Sequence, residues 1–385
     1  MTSATTPAGN VATSACLQPA LPKRMYVDEA QWRQERDRVL HSSWFCAGRV
    51  AELRLDRPSR LCVLDVVGES ILVTSDAAGQ LHGAYNVCRH RGSQVVPVDP
   101  ASPVPAPCSM AALRCPYHSW TYALSGHLLR APHTDGLADF DPGAFSLEPV
   151  GVGQWGGFLF VHLTPSLAPP LAEELSEFDT RLMRYPLAEL VGGARFTYDV
   201  AANYKVIAEN YNECYHCGPV HPELCRLVPA FAGGGSDLDW DDGVPHREGA
   251  WTFTMSGGTN RRPFPGLDGN ERSRHKGELV YPNLLLSLAA DHVAALVLWP
   301  LSVDRTRVVC DLLFAPSEIE APDFDPGDAG ELWDLVNRQD WAICESVQRG
   351  MSSRAFRQGW FAPMEDQSAD IRRWLLPRLH AGSRP

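Results

Sequence analysis

From about Trp44 to about Thr164 the chain runs in short stretches where apolar residues alternate with polar ones or cluster between Gly, Asp and Pro. Examples are RLCVLDVV (60–67), SILVTSD (70–76) and GGFLFVHL (156–163). Runs of this length and punctuation predict strands, and this stretch should form a small all-β unit. Before it, VDEAQWRQERDRVLHSSW (27–44) has a helical texture, with Asp28 placed as N-cap and Gln31 in the capping-box position. After it, the prolines of TPSLAPPLAEELSEFDTRL (164–182) mark a boundary near Pro165, followed by a helix. RFTYDVAANYKVIAENYNECYH (195–216) passes from an alternating strand into a helical run. LVYPNLLLSLAADHVAALVLWPLSVDRTRVVCDLLFAP (279–316) reads as consecutive strands of an antiparallel sheet, and GELWDLVNRQDWAICESVQRGM (330–351) carries apolar residues at helical spacing. With no internal repeat, the expected fold class is α+β. A small all-β domain (44–164) precedes a larger domain (165–385) whose antiparallel sheet is flanked by helices. Residues 1–24 are expected as a flexible segment and 25–43 as a helix packing on the larger domain.

A chain of 385 residues with 44% hydrophobic and 21% charged content can bury the cores this arrangement needs. Its net charge of −12 and scattered Lys and Arg argue against binding a phosphate backbone, so no nucleic acid partner is expected. No apolar run reaches the roughly 18–20 residues of a membrane span, and MTSATTPAGNVATSACLQPALPKR at the start lacks the layout of a signal peptide. The expectation is a cytoplasmic protein without a membrane partner. Eleven cysteines, an odd number without dense spacing, point to reduced thiols. Cys16, Cys46, Cys62, Cys225, Cys310 and Cys344, among apolar or mixed neighbours, read as small buried hydrophobes.

Cys88 and Cys115 differ because each has a histidine at ligand spacing. NVCRHRGSQVV (86–96) holds Cys88-x-His90, and RCPYHSWTY (114–122) holds Cys115-x-x-His118. Zinc sites commonly pair Cys with Cys and His with His. Here each loop offers one thiolate and one imidazole, which suits a two-iron cluster with both thiolates on one iron and both imidazoles on the other, the Rieske arrangement. A zinc knuckle or a chance pairing is the bland alternative.

ENYNECYHCGPVHP (209–222) carries a second constellation. On a helix ending near Pro219, His216 and His221 can converge on one ion, with a carboxylate from elsewhere completing the set. Two imidazoles and one carboxylate leave positions open for dioxygen and substrate, as in non-haem Fe(II) oxygenases, with zinc as the rival metal. Cys214 and Cys217 would close the site if they were ligands, so they are read as packing residues.

Taken together, CRHRG, CPYHSW and ECYHC resemble the Rieske non-haem iron oxygenases, whose loops usually read Cys-x-His-Arg-Gly and Cys-Pro-Tyr-His-Gly-Trp. The chain departs in two places. Ser119 stands where glycine is usual, and VDPASPVPAPCSM (98–110) lengthens the gap between the loops; it is expected to bulge outward, with Cys108 no ligand. The resemblance spans about Met25 to about Met364, and ECYHC is usual in the branch that oxidises small quaternary ammonium compounds. It implies a [2Fe-2S] cluster on Cys88, His90, Cys115 and His118 that feeds electrons to a mononuclear Fe(2+) on His216, His221 and a late acid. For that acid it points to Asp340, which shares a helix face with Cys344 and Val347 while Glu345 lies off it; Asp334 is a weaker rival. It further implies that Glu213, otherwise a surface acid, bridges the iron-site histidine and a cluster histidine of a neighbouring subunit in a homotrimer. The chain has no Gly-rich dinucleotide fingerprint, so electrons should come from NAD(P)H through a separate reductase, with or without a ferredoxin.

The function expected on this basis is oxygenase chemistry with O2 as co-substrate. It would hydroxylate or N-demethylate a small organic molecule, and a betaine-like quaternary ammonium compound leads. A larger apolar, aromatic or natural-product substrate is the runner-up, because LAADHVAAL (288–296) is stripped of bulky and polar groups. A Rieske electron-transfer protein without oxygenase activity and a zinc-binding module are the readings from other classes. The pocket is expected on the strands that carry Leu286, Leu288, His292, Leu296 and Trp299, with Phe231, Trp251 and Phe253 adding aromatic surface for a cationic ligand.

Overall fold

The β-rich stretch folds as its alternation suggests. In the computed structural model, which describes residues 16–98, 108–235 and 238–381, seven antiparallel strands form one sheet among the described residues. Their spatial order is Phe45–Arg49, Phe158–His162, Pro149–Trp155, Leu81–Tyr85, Glu69–Ser75, Arg60–Val66 and Cys108–Ser109. A smaller sheet of Leu113–Arg114, Thr121–Tyr122 and Leu128–Arg130 completes the unit. Leu113, Tyr122 and Leu128 turn into a core that also takes in Cys88, Cys115 and Trp120, so the thiols are part of the packing. The long insert falls largely on residues 99–107, which lie outside the described residues, as does the side chain of Cys108.

The larger unit is built on six antiparallel strands in the order Val191–Val200, Arg305–Phe314, His292–Ser302, Leu284–Leu288, Arg274–Val280 and Val244–Pro245. Both faces are buried, and the side-chain period of two divides them cleanly. Leu285, Ala294, Leu296, Leu298 and Leu312 face one core; Leu284, Leu286, Leu288, Val293, Ala295 and Val297 face the other. Two helices cover the first face. Tyr204–Tyr211 begins at Asn203, whose side chain accepts from Lys205 N–H. The 26-residue helix Gly327–Ser352 buries Leu332, Trp333, Val336, Trp341, Cys344 and Met351 along one side. Of the cysteines read as buried, Cys46, Cys62, Cys310 and Cys344 are, while Cys225 is half-buried and Cys16 is exposed.

The N-terminal segment departs from expectation. Gln18–Pro22 is a strand, paired antiparallel with Gln358–Phe361, and it buries Ala20 and Leu21. Its two prolines disguised it, yet a two-stranded ribbon leaves edges where the missing N–H groups cost no ladder bond. Asp28 does cap the helix Glu29–Arg38, accepting from Gln31 N–H at 2.8 Å. That helix is pinned to the helix Tyr204–Tyr211 by buried polar groups. Lys205 Nζ lies 2.9 and 3.0 Å from the two Glu35 oxygens, both side chains wholly buried, and the Tyr204 hydroxyl also donates to Glu35. The Tyr26 hydroxyl donates to Glu209 at 2.5 Å.

Burial penalises each charge of such a pair, so what matters is that neither is left alone. Lys205→Met should lower the unfolding free energy by about 3–5 kcal/mol, by stranding Glu35. The double variant Glu35→Leu/Lys205→Met should recover at least half of that loss in urea unfolding. Additive losses would show that the pair is not the link.

Candidate metal centres and the cavity beside them

The two Cys-His loops are closed in the same way. Gly92 N–H donates to Cys88 O at 3.0 Å, and Ser119 N–H to Cys115 O at 3.1 Å, so each loop folds back over its cysteine. Both closing residues take left-handed backbone angles, φ +75° at Gly92 and +62° at Ser119. Glycine does this without strain. Ser119 does not, and its hydroxyl offsets part of the cost by accepting from Arg114 Nη2 at 2.8 Å.

Depth separates the two ligand types. Cys88 and Cys115 are 2% exposed, whereas His90 and His118 stand at the surface with ring centroids 4.6 Å apart. His90 stacks on Trp120 at 5.0 Å, and Trp120 is itself braced edge-on by Phe140 and Phe145. Burial pushes the Cys88 thiol up and nearby Cys115 adds to this, while the Tyr122 hydroxyl, 3.2 Å from Cys88 Sγ, opposes it. Inner thiols and outer imidazoles are the donor set that a cluster with one sulfur-ligated and one nitrogen-ligated iron requires.

In the larger unit, His216 and His221 do not share one continuous helix as expected. Gly218 and Pro219 break the chain into a single turn, Cys217–Val220, with His216 at its start and His221 at its end. Across that turn the rings still meet, with centroids 5.1 Å apart. Asp340, on the helix Gly327–Ser352, brings Oδ1 to 3.2 Å from His216 Nε2 and 2.9 Å from His221 Nε2. Donor atoms of these residues all lie within 4.8 Å of one another.

The outer nitrogens are also occupied. His221 Nδ1 donates to Gln339 Oε1 at 2.8 Å, and Gln339 is steadied by Glu223. His216 Nδ1 donates to Glu213 Oε1 at 2.6 Å. Both Nε2 lone pairs therefore point toward Asp340. Burial pushes His216 down, but its hydrogen bonds to Asp340 and Glu213 outweigh this and carry it up to about 11. Burial raises Asp340, and the two histidines more than compensate, leaving it low. The pocket of charge is anionic and suits a cation, and its donor set is the two-histidine, one-carboxylate type. Glu213 is only 10% exposed at its side chain, which removes the reading of it as a surface acid. Asp334 is engaged elsewhere, by the Tyr198 hydroxyl at 2.8 Å and Arg338 Nε at 2.7 Å.

A cavity of about 100 Å³ opens beside the triad. Of the expected lining residues, Phe231, Phe253 and Leu296 are on its wall. Leu286 and Leu288 are not. They face the opposite core, and Leu285 and Ser287 take the wall instead, with Leu285 opposite Leu296 across the strands. A shift of one residue exchanges faces, and with both faces apolar the pattern did not reveal the parity. His292 has the right parity but sits behind Trp333, whose Nε1 donates to it at 2.9 Å. Trp251 and Trp299 pack against the second core, Trp299 also against Phe45. Wall residues that the sequence did not single out include Tyr211, Trp240, His275, Trp333 and Trp341. The run LAADHVAAL is explained by packing: Ala289, Ala290 and Asp291 form a fully buried turn in which Asp291 binds His292, Thr252 and Arg261.

The chain matches the family model of the Rieske [2Fe-2S] domain over residues 43–141 and that of the ring hydroxylating alpha subunit, catalytic domain, over residues 187–381. It is 30% identical over 380 residues to the glycine betaine monooxygenase oxygenase subunit of Pseudomonas aeruginosa (strain UCBPP-PA14), covering 88% of this chain and 84% of that one. It is 28% identical over 344 residues to the carnitine monooxygenase oxygenase subunit of Escherichia coli (strain K12), covering 88% and 85%. In fold it is similar to a crystal structure of a quaternary ammonium Rieske monooxygenase, with a TM-score of 0.74, 24% identity, and 95% and 96% of the two chains covered.

The Tyr122 hydroxyl is fully buried against Cys88. A hydrogen bond to a cluster sulfur stabilises the reduced form, so Tyr122→Phe should lower the cluster's reduction potential. Losing one hydrogen bond of about 1 kcal/mol corresponds to roughly 40–60 mV for one electron. Spectroelectrochemical titration measures this, and an unchanged potential would remove Tyr122 from the tuning of the cluster.

Proposed function

The chain belongs to the Rieske oxygenases as a ring-hydroxylating alpha, or catalytic, subunit, and on that premise we propose that it oxidises a small quaternary ammonium compound by hydroxylation or N-demethylation. Cys88, His90, Cys115 and His118 would hold the [2Fe-2S] cluster in the unit 44–164, and His216, His221 and Asp340 the mononuclear iron in the unit 165–385. When bound, the cluster supplies single electrons and the ferrous ion activates dioxygen. Putting one oxygen atom into a C–H bond and reducing the other to water takes two electrons and two protons. A separate NAD(P)H-dependent reductase, with or without a ferredoxin, is the proposed source of the electrons.

The chain's own residues do the positioning. Glu213 and Gln339 orient the imidazoles by taking their Nδ1 protons. The observation that carries the substrate reading is the wall of the cavity, where Tyr211, Phe231, Trp240, Phe253, Trp333 and Trp341 converge beside the triad. Aromatic faces attract a cation that cannot donate hydrogen bonds, each contact contributing about 0.5–2 kcal/mol. The cavity's size of about 100 Å³ favours a small molecule over an aromatic or natural-product substrate, since benzene occupies an engineered cavity of about 150 Å³.

Exposure of His90 and His118, with Tyr117 56% exposed between the loops and Tyr215 54% exposed beside Glu213, supports a homotrimer in which each cluster tip meets the next subunit's Glu213. No helix among the described residues is long and apolar enough to cross a membrane.

Replacing His216, His221 or Asp340 by Ala should leave the visible spectrum of the cluster intact and remove the mononuclear iron, read by metal analysis. If Asp340→Ala keeps its full iron content, the assigned triad is wrong. Glu213→Ala should keep both metals and the trimer by light scattering, but lose turnover on the order of a hundredfold. Stopped-flow oxidation of the reduced cluster should slow in parallel, and normal cluster oxidation would contradict the bridge.

A further inference from the structure

The cavity also bears on the far end of the substrate, an inference that rests on the quaternary ammonium reading above. Betaines carry a carboxylate, and a buried carboxylate needs a cation or several donors. Among the described residues lining the cavity there is no Lys or Arg. Basic residues beside the lining positions are each closed on an acid: Lys205 on Glu35 at 2.9 Å, Lys276 on Glu271 at 3.2 Å and Arg338 on Asp334 at 2.7 Å. The charges that do face the cavity, Asp340 and Glu213, are negative and would repel a second anion.

The polar groups on the sheet side of the wall are neutral. His275 is 6% exposed and stacked at 4.1 Å on Phe253; its Nδ1 is buried with no hydrogen-bond partner among the described residues. Burial, reinforced by His246 and His292, pushes its imidazole well down, so it is uncharged at neutral pH. Ser287 lies on the neighbouring strand opposite Gly277, two residues from His275 and therefore on the same face. Gly277 has no side chain to fill the space between them, and the Ser287 hydroxyl is 3.0 Å from Tyr211 Oη. A hydroxyl can both donate and accept, as these neutral groups require of a partner. We propose that the substrate is a small quaternary ammonium compound ending in an uncharged hydroxyl, of the choline type, and that His275 and Ser287 select that end against the carboxylate of betaines.

The test is isothermal titration of the cluster- and iron-loaded enzyme, without oxygen, with four probes: choline, glycine betaine, tetramethylammonium and the uncharged tert-butyl analogue of choline. Choline should bind on the order of a hundredfold more tightly than glycine betaine, and about tenfold more tightly than the uncharged analogue. His275→Phe and Ser287→Ala should each weaken choline by about tenfold and leave tetramethylammonium unchanged, with the cluster spectrum reporting that the fold is intact. Equal binding of glycine betaine and choline overturns the exclusion of carboxylates and leaves the quaternary ammonium reading standing. Equal binding of choline and its uncharged analogue overturns that reading. Failure of all trimethylammonium probes to bind overturns both. Unchanged choline affinity in both variants overturns the selection by His275 and Ser287.

Discussion

Two imidazoles and one carboxylate, drawn from positions 216, 221 and 340, have to meet within 4.8 Å, and much of the larger unit answers to that requirement. One turn between Gly218 and Pro219 sets the rings face to edge, and the long helix carries Asp340 across to them. That helix can do so because its apolar side is packed into the same core as the sheet and the helix Tyr204–Tyr211. In turn, the helix Tyr204–Tyr211 is held from behind by the buried Lys205–Glu35 pair. A charge cluster this dense tolerates burial only when each group has a partner, and Glu213, Gln339 and Glu223 extend the partnering outward.

The smaller unit solves a different problem. Its cysteines are core residues and its histidines are surface residues, so one cluster can be both anchored in apolar packing and presented at the protein's edge. The depth difference comes from two loops that each close on their own cysteine, and from Trp120, which supports His90 from below. Ser119 shows that the closure matters more than the residue, since a left-handed serine is kept there with a hydrogen bond to help it.

Local patterns were legible from the chain and distant ones much less so. Cys88, His90, Cys115 and His118 declared themselves because ligand spacing within a loop is a sequence property, and His216 and His221 did so for the same reason. Asp340 lies 119 residues beyond His221 and could be reached only through family resemblance. The helix expected to carry both histidines is interrupted by a Gly-Pro step that was visible in the sequence but given too little weight. In the sheet, Leu286 and Leu288 were chosen over Leu285 and Ser287 because a strand buried on both faces has no polar face to mark which side is which. His275, Trp240 and Trp333 come to the cavity from three separate segments, and no local signal joins them.

The account stands on two distinct iron sites in one chain. A crystal structure of the iron-loaded protein, with an anomalous difference map recorded at the iron edge, tests this most directly. It should show one peak at bonding distance from His216 Nε2, His221 Nε2 and an Asp340 carboxylate oxygen. It should also show an elongated peak between the Cys88 and Cys115 sulfurs and the His90 and His118 rings. No iron peak at the triad, or a signal there that appears only at the zinc edge, would contradict it.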